Sequence, residues 1–547
     1  MYHRLSSNNT SREWEQEKPC PRTNNHPPRI SKPPRLIRPS YDCVVIGSGY
    51  GGAIAASRMA RAGQSVCLLE RGRERWPGEY PETLSHAARQ LSVSGRIQRA
   101  FSSRRGGNIR CGNAGGMYHV VVGEGQTAVV GNGLGGTSLI NSNVFLEADA
   151  ATLSLDMWPP EIRNNPKVLD EYYQKARNVL EPQPYPATLP SLKKTELLHR
   201  QAQTLGLEKH FYKPPQTTRF QHAGPNSCGV PMRPSTLTGQ DTTGVNDGSK
   251  TTTLVTYLAD AWHWGADIFC QCEVRHVQEA HGRGGYNVHY TWRDEAWDGF
   301  GRGTKATPGT LLHVHARRAV FFGAGSLGTT EILLRSRALG LPVSDDVGRG
   351  MSGNGDMLAF GYNCDYDVNA IGRSARRRGS RIADTDPVGP TITATIDMRD
   401  ATDDPLHGFV IQEGTVPEAL AHLVQPIAHL QTGLCPSGQG TSGLVRRMRR
   451  LGRVCRSRLL GPHVRSGAVR RTQVFLVMSH DTAQGTMRLE HDMPTLRFPP
   501  ATADEGLREQ AVHALLSAAV ASVGGTLIRN PCAKLWGNRR VTVHPLG

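Results

Sequence analysis

Residues 41–70 contain the pattern that most restricts how this chain can fold. The apolar run 41–46 precedes a glycine-rich turn at 47–52, and a helix-forming stretch, 53–60, follows the turn. A second apolar run ends at Leu69. Strand, turn, helix and strand in so short a segment predict a βαβ unit, whose crossover makes the two strands parallel. The expected fold class is therefore α/β, with a doubly wound, Rossmann-type domain.

The turn itself has the chemistry of a diphosphate-binding loop. Its residues match G-x-G-x-x-G and are Gly47, Ser48, Gly49, Tyr50, Gly51 and Gly52. The first glycine permits the tight turn, the second lets backbone approach a diphosphate, and the third allows close helix–strand packing. Amide groups at a helix N-terminus favour an anion. Glu70 ends the next strand, where its carboxylate can accept hydrogen bonds from ribose hydroxyls. The pattern predicts a dinucleotide site without choosing FAD or NAD.

The same glycine pattern recurs in the chain, including at Gly131/Gly133/Gly136 and at Gly323/Gly325/Gly328. Only the turn at 47–52 combines a preceding strand, a following helix and an acidic residue at the end of the next strand. The chain contains neither a G-x-S-x-G elbow nor a G-x-x-x-x-G-K-[ST] loop. The chain is therefore not expected to be one of the common hydrolases or nucleoside triphosphatases that carry these motifs.

The rest of the chain predicts a second kind of sheet. Residues 251–265 favour a helix, and residues 267–274 a strand. Between 385 and 500, alternating segments such as 391–396 and 473–478 are separated by turns, which indicates an antiparallel sheet. The overall class is therefore α+β. The apolar segment 511–528 is broken by polar residues and glycines and predicts a buried helix rather than a membrane span.

Positive charge is concentrated in one segment of a chain whose net charge is +17. Residues 444–471 contain ten arginines and no acidic residue. Apolar residues recur there at helical spacing, opposite the arginines, and are Leu444, Met448, Leu451, Val454 and Leu459. One interpretation is a solvated helix or flexible insertion, and another is a basic helix resting on an anionic membrane. Nucleic acid is not an expected partner, because aromatic residues do not alternate with the charges.

Cysteine usage and the N-terminus bear on the compartment. The eleven cysteines include no C-x-x-C pair and predict mostly buried free thiols, with no metal site. Cys270 and Cys272, two residues apart, are expected on one face of a strand. Residues 1–40 contain seven prolines and eight Lys/Arg without the apolar core of a signal peptide, which predicts a disordered basic tail. The expected location is intracellular.

Six stretches of the chain follow one another in the order of a known family. They are residues 41–52, Leu69-Glu70-Arg71-Gly72, residues 131–141, residues 323–331, Gly353-Asn354-Gly355-Asp356 and Val543-His544-Pro545-Leu546-Gly547. Together they resemble the glucose–methanol–choline (GMC) oxidoreductase family, in its cholesterol-oxidase-like branch. The ordered set is far more specific than any single member.

The resemblance implies FAD rather than NAD as the cofactor. It places a second glycine-rich run along the flavin and the diphosphate, with the residues Gly131, Gly133, Gly135, Gly136 and Ser138. It also places Asn141 close to the isoalloxazine ring and the strand residue Val274 beside the adenine. His544 would take the hydroxyl proton of the substrate, since a neutral imidazole can act as a base near neutral pH.

The implied reaction is the oxidation of an alcohol (a CH–OH donor), with a sterol such as cholesterol as the leading substrate. Hydride passes to flavin N5 and dioxygen is the expected acceptor. Cholesterol oxidases also isomerise a double bond, using a carboxylate over the steroid ring. Glu413 and Glu418 lie in the region of the chain that supplies this carboxylate. Two alternatives remain: a dehydrogenase of the same family using another alcohol and another acceptor, and an inactive, cofactor-free protein.

The resemblance also suggests a division into domains. Residues 1–40 would be the tail, and residues 41–150, 251–360 and 531–547 a discontinuous FAD-binding domain. Residues 151–250 and 361–530 would form the substrate domain, with an arginine-rich insertion at 436–471. Family members continue beyond the histidine motif, so this chain is expected to bind FAD weakly or to be inactive. Residues 228–252 retain only Cys228 of a stretch that is often cysteine-rich in relatives.

Overall fold

A computed structural model of the chain describes residues 29–97, 107–293, 310–374, 386–432, 444–529 and 540–547. Parts of the predicted tail and of the arginine-rich insertion, together with most of the arginine-rich segment 373–381, lie outside these ranges. The predicted domain boundaries remain a prediction.

The described residues contain strands that are numbered here in chain order. They are β1 (Ser40–Ile46), β2 (Val66–Leu69), β3 (Leu91–Ile97), β4 (Gly107–Gly112), β5 (Tyr118–Val122), β6 (Gln126–Gly131), β7 (Phe211–Tyr212), β8 (Gly224–Pro225), β9 (Pro231–Met232), β10 (Asp267–Phe269), β11 (Cys272–Glu279), β12 (Tyr286–Trp292), β13 (Leu311–Phe322), β14 (Met357–Tyr362), β15 (Thr395–Asp397), β16 (Phe409–Gly414), β17 (Gln473–Ser479), β18 (Thr486–Glu490), β19 (Met493–Arg497), β20 (Thr526–Arg529) and β21 (Arg540–Thr542).

The α-helices are numbered in the same way. They are α1 (Tyr50–Arg61), α2 (Leu84–Ala88), α3 (Ala150–Leu153), α4 (Pro160–Arg163), α5 (Asp170–Leu180), α6 (Lys193–Thr204), α7 (Ala259–His263), α8 (Gly325–Ala338), α9 (Glu418–Thr432), α10 (Leu444–Leu460) and α11 (Ala503–Ser522). A π-helical turn, Leu254–Leu258, precedes α7, and a 3₁₀ helix, Gly136–Leu139, follows β6.

The first sheet confirms the predicted βαβ unit. Its order is β10-β2-β1-β13-β12-β11, with β1, β2, β10 and β13 parallel and β11 and β12 antiparallel. Alternate residues of β1 enter cores on opposite faces, so Val45 packs with Ala53 of α1 while Val44 and Ile46 pack on the other side. Burial on both faces explains why β1 is an uninterrupted apolar run.

A second six-stranded sheet confirms the predicted antiparallel architecture. Its order is β20-β14-β17-β16-β15-β7, and every neighbouring pair is antiparallel. Helices α6 and α11 cover one face through an apolar core that includes Leu198, Phe475 and Leu516. A five-stranded sheet, β21-β6-β5-β3-β4, carries the second glycine run at the end of β6.

Two local expectations need correction. Cys270 and Cys272 enter different cores, because Gln271 between them has a φ of 61° and interrupts the strand. Residues 29–40, which the sequence assigned to the tail, pack on the first sheet: the amide of Ile30 donates to Glu74 (2.9 Å), and Lys32 pairs with Asp267. The packed chain therefore begins before Tyr41.

Helix α10 does not bury the predicted apolar stripe. Val454 is buried, but Met448 and Leu459 are exposed, and Arg453 lies in the packed face. The guanidinium of Arg453 finds acceptors there, since it donates to the carbonyl of Cys364 (3.0 Å) and to the Asp365 carboxylate (3.1 Å). No helix within the described ranges has both the length and the hydropathy needed to cross a bilayer.

Candidate functional site

A large cavity of about 2370 Å³ lies where the three main sheets meet. Its lining includes the turn 47–52, the start of α8, one face of the second sheet and His544. We call it the central cavity. All the cofactor-site residues predicted from sequence either line it or pack directly behind its lining.

The three glycine turns pack against one another at one end of this cavity. A Cβ atom on Gly52 would lie 2.0 Å from the carbonyl oxygen of Gly47, and one on Gly47 would lie 2.6 Å from that of Gly323. A Cβ on Gly136 would lie 2.8 Å from the Cα of Gly49. Backbone thus touches backbone where side chains would interfere. The third match, at Gly323, is therefore a packing partner of the first rather than an independent site.

The N-terminus of α1 opens on the central cavity. Its N-cap residue, Gly49, lies in the cavity lining, and no side chain of the described residues caps the first turn. The first amide groups of a helix have no partner within the helix, and the macrodipole adds positive potential. Gly51 has nothing within 4 Å of a hypothetical Cβ, so the space beside the turn is open. This arrangement can accept a diphosphate.

Glu70 holds the glycine turns together. Its carboxylate accepts from the Ser48 amide (3.1 Å) and hydroxyl (2.6 Å) and from the Gly72 amide (2.7 Å). The Ser48 hydroxyl oxygen in turn accepts from the amide of Gly135 (3.0 Å). Glu70 therefore joins the first glycine turn to the second. It also lines the central cavity.

Asn141 and its neighbours form the next part of the lining. The Asn141 amide nitrogen donates to the Tyr50 hydroxyl (2.9 Å), while its Oδ1 is buried and has no hydrogen-bond partner among the described residues. Burying an oxygen without a hydrogen-bond partner costs free energy. A hydrogen-bond donor on a molecule bound in the cavity would therefore stabilise this arrangement. Ser138 donates to the carbonyl of Gly135 (2.7 Å), and Val274 is a buried residue of β11 in the lining.

Elsewhere in the cavity lining, His544 pairs with Asp356. The Nδ1 atom lies 2.9 Å from Oδ1 of Asp356, and because a carboxylate only accepts, Nδ1 carries the proton. The same carboxylate accepts from Thr542 Oγ1 (2.9 Å) and from the amide of Val543 (2.8 Å). The His544 side chain is 49% exposed, so Nε2 can serve as the proton acceptor. Asp356 fixes the ring and its tautomer.

Two opposing effects set the pKa of His544. Burial lowers it, whereas the hydrogen bond and the negative charge of Asp356 raise it, and the net pKa lies above the ordinary 6.5. The imidazole is therefore neutral, and competent to accept a proton, only at a pH above that raised value.

Neither carboxylate proposed as a second base lines the central cavity. Glu413 is fully buried and pairs with Lys194 of α6 (2.8 Å), because strand alternation in β16 turns it away from the cavity while Gln412 faces inward. Glu418, the first residue of α9, accepts from the amide of Ser374 and lies 3.8 Å from His463. These positions do not support a base role for either residue.

The sequence pattern missed several polar residues of the lining. Arg71, directly after Glu70, bonds His119 (3.0 Å), and burial holds the pKa of His119 well below its usual value. Glu273 is buried beside Arg293, Arg71 and Arg275, which outweigh burial and lower its pKa to about 2. These residues come from separate strands, so only the position of Arg71 after Glu70 was visible in the sequence. Within the described ranges, no group of His, Cys, Asp or Glu could hold a metal ion.

The half of the cavity below α9 is apolar. One face of this helix lines it with Leu420, Leu423, Val424 and Ile427, at helical spacing. Strands of the second sheet add Phe360, among other apolar residues. This part of the cavity can therefore accept a large apolar group.

Comparison with known proteins adds family information. The chain matches the family model described as GMC oxidoreductase over residues 42–352. It is 26% identical over 357 residues to a cholesterol oxidase from Acinetobacter baumannii, which covers 61% of this chain and 58% of that protein. It is 27% identical over 302 residues to an uncharacterised GMC-type oxidoreductase from Sinorhizobium fredii, covering 54% and 49%. The chain thus spans about half the length of the curated relatives it matches.

A solved structure shows the same fold. Pyridoxine 4-oxidase from Mesorbium loti is similar with a TM-score of 0.50 at 16% identity, covering 92% of this chain and 88% of that chain.

Proposed function

This chain belongs to the GMC oxidoreductase family, and from that premise we propose that it is an FAD-dependent enzyme that oxidises an alcohol. The proposed donor is the CH–OH group of a sterol such as cholesterol, and the proposed electron acceptor is dioxygen. The observation that carries the proposal is that one cavity is lined both by the uncapped N-terminus of α1 and by His544 with its Asp356 partner.

The lining residues fit FAD at the points where the cofactor needs partners. The amides of the turn 47–52 would hold the diphosphate, and the lining around Glu70 and Val274 would hold the adenosine. The glycines of the second run would lie along the flavin, with the unpaired Oδ1 of Asn141 toward the ring. When bound, FAD supplies the hydride acceptor.

His544 would manage the proton of the substrate. Removing a hydride from an alcohol carbon leaves a cation unless the hydroxyl proton also departs. The Nε2 atom of the neutral ring can orient the hydroxyl and accept its proton, and the Asp356 carboxylate stabilises the imidazolium that forms. The residue touches the substrate in this scheme and is the proposed catalytic base.

The sterol is proposed from two observations. The apolar face of α9 lines the same cavity as His544, and apolar lining favours a bulky hydrocarbon over a sugar. One relative is described as a cholesterol oxidase.

The proposed function predicts a flavin spectrum and a defined product. Unlike the alternative of a chain that binds FAD weakly or is inactive, the proposed function predicts that the purified chain, incubated with FAD and desalted, absorbs near the flavin bands and releases peroxide with cholesterol in detergent micelles. Cyclohexanol and glucose, as small and polar alcohols, serve as matched controls and should react more slowly. Flavin reduction by cholesterol without peroxide release would indicate another electron acceptor, and a colourless protein indifferent to FAD would refute the proposal.

We also propose that α10 contacts an anionic membrane that holds the substrate. Its outer surface carries exposed apolar residues, namely Val445 (73%), Met448 (60%), Leu459 (81%) and Leu460 (70%). Exposed arginines lie beside them and are Arg447, Arg449, Arg456 and Arg458. Apolar groups with interspersed cations suit the boundary between headgroups and acyl chains.

The contact predicts binding that depends on lipid charge. The chain should sediment with vesicles of phosphatidylcholine plus phosphatidylserine and much less with phosphatidylcholine alone. Because each arginine near the surface contributes about 1 kcal/mol, Arg456→Gln with Arg458→Gln should weaken binding about tenfold or more. The control, Arg283→Gln with Arg488→Gln, removes equal charge from exposed sites on other elements. Equal loss in both variants would show that only net charge matters.

A further inference from the structure

Lys250 is a buried lysine directly behind the lining of the central cavity. Its ammonium donates to three backbone carbonyls, those of Asn141 (2.6 Å), Asp241 (3.1 Å) and Leu139 (3.3 Å). Within the described ranges it forms no ion pair with a carboxylate. An ammonium has three N–H donors, so the three carbonyls use all of them.

Burying a charged ammonium in this way costs free energy unless its interactions stabilise another part of the structure. Moving an ammonium out of water costs several kcal/mol in real proteins, and an apolar side chain of similar length would fill the space without that cost. What the charge provides is hydrogen bonding for the inward-pointing carbonyls of Leu139 and Asn141, whereas the carbonyl of Asp241 also accepts from the amide of Gly244 (3.2 Å). Lys250 therefore fixes the backbone path of the segment 139–141.

The same contacts reach both sides of the central cavity. Asn141 lines the cavity on the side of the glycine turns. Asp241, whose carbonyl Lys250 also holds, bonds through its carboxylate to Asn143 (2.6 Å) and to the amide of Thr391 (2.7 Å). Thr391 lines the cavity next to the second sheet. One buried network thus links the two walls.

We infer that Lys250 is a positioning residue that sets the affinity for the flavin by holding the backbone of Asn141, without itself touching the cofactor. The inference rests on the proposed function, in which the flavin ring lies against Asn141. A relaxed 139–141 segment would turn the Asn141 amide away from Tyr50 and from the ring, and the cofactor would bind less tightly.

The hold of Lys250 on the backbone depends on pH, because only the charged ammonium has an N–H donor for each of the three carbonyls. Burial lowers the pKa of Lys250 to about 7, although the nearby Asp241 charge opposes the shift. The Tyr80 phenol, across a small cavity of about 70 Å³, stays uncharged because burial raises its pKa. Below this pH the ammonium holds three carbonyls, and above it the neutral amine has only two N–H groups. Affinity for the flavin should therefore fall as pH rises through about 7.

The test titrates the full-length apoprotein with FAD, followed by quenching of flavin fluorescence, on both sides of about pH 7. We expect Lys250→Met to bind FAD about tenfold more weakly below that pH and to lose the pH dependence, since hydrogen bonds to a charged group disappear. Lys250→Arg, which stays charged, should remove the loss of affinity at higher pH. Performing the series in a His544→Asn background removes a second titratable group, the imidazole in the cavity lining.

Arg453→Met is the matched control. Arg453 is about as deeply buried as Lys250, but it donates to the Cys364 carbonyl (3.0 Å) and the Asp365 carboxylate (3.1 Å), which do not line the central cavity. It should lose stability and keep the wild-type FAD affinity with its pH dependence. If Lys250→Met and Arg453→Met bind FAD equally well, or if the parent protein binds FAD with no pH dependence, the inference is overturned. The second criterion needs no variant to fold. A parent protein that binds no FAD would instead refute the proposed function.

Discussion

His544→Asn is expected to lower the rate of alcohol oxidation by about 10²- to 10⁴-fold, the usual contribution of a positioned general base. Flavin content and thermal stability should change little, because the side chain is half-exposed and belongs to none of the apolar cores. The measurement is turnover of cholesterol at saturating concentration, with flavin absorbance recorded on the same samples. His199→Asn, a surface histidine of α6 paired with Glu208, is the matched control. Unchanged turnover in His544→Asn would remove the proton role.

A companion variant tests the geometry behind that role. Asp356 raises the pKa of His544, and only the neutral ring can accept a proton, so activity should fall as pH drops through the raised pKa. Asp356→Asn removes the negative charge and should move this acidic limb of the pH–rate profile to lower pH. Its maximum rate should also fall, because the amide orients the ring less firmly. A profile identical to that of the parent would mean that Asp356 does not control the histidine.

The second large effect is expected for Gly52→Ala. The new methyl carbon would lie 2.0 Å from the carbonyl oxygen of Gly47, and both atoms belong to backbone that cannot swing aside. Helix α1 must move away from β1, which should cost about 3 kcal/mol or more and disperse the amide groups that receive the diphosphate. We expect loss of bound flavin and a lower midpoint in chemical denaturation.

Gly506→Ala provides the control for this substitution. Gly506 lies inside α11 with nothing within 4 Å of its hypothetical Cβ, so the exchange should stabilise the chain by up to about 1 kcal/mol. Flavin binding should stay at the parental value. Retention of flavin and stability by Gly52→Ala would contradict the tight packing of the turn.

The parts of the fold that could be predicted from sequence are those determined locally. The apolar run 41–46, the glycine turn and the helix after it lie within one short segment, and each element agrees with its neighbours. The antiparallel second sheet was also visible in alternating segments. The contact between Gly47 and Gly323 was not, because it joins two turns that look alike but are far apart in the chain.

The candidate site was harder to predict for two physical reasons. His544 could be identified from the resemblance, but its partner Asp356 lies 188 residues away, and no local pattern joins them. Glu413 does not face the cavity, because successive side chains of a strand point to opposite faces. A difference of one residue therefore decides whether a side chain enters the cavity or the core. In α10, the acceptors near Arg453 decided which face packs, and those acceptors belong to another part of the chain.

The interlocking of the glycine turns has a consequence for when the proposed FAD site is completed. The turn after β1 is translated well before its packing partner, which follows β13, and the intervening chain must be synthesised first. Until then, a nascent chain would carry an incomplete nucleotide loop. Assembly of the proposed site would therefore be a late event that depends on non-local contacts, which form slowly.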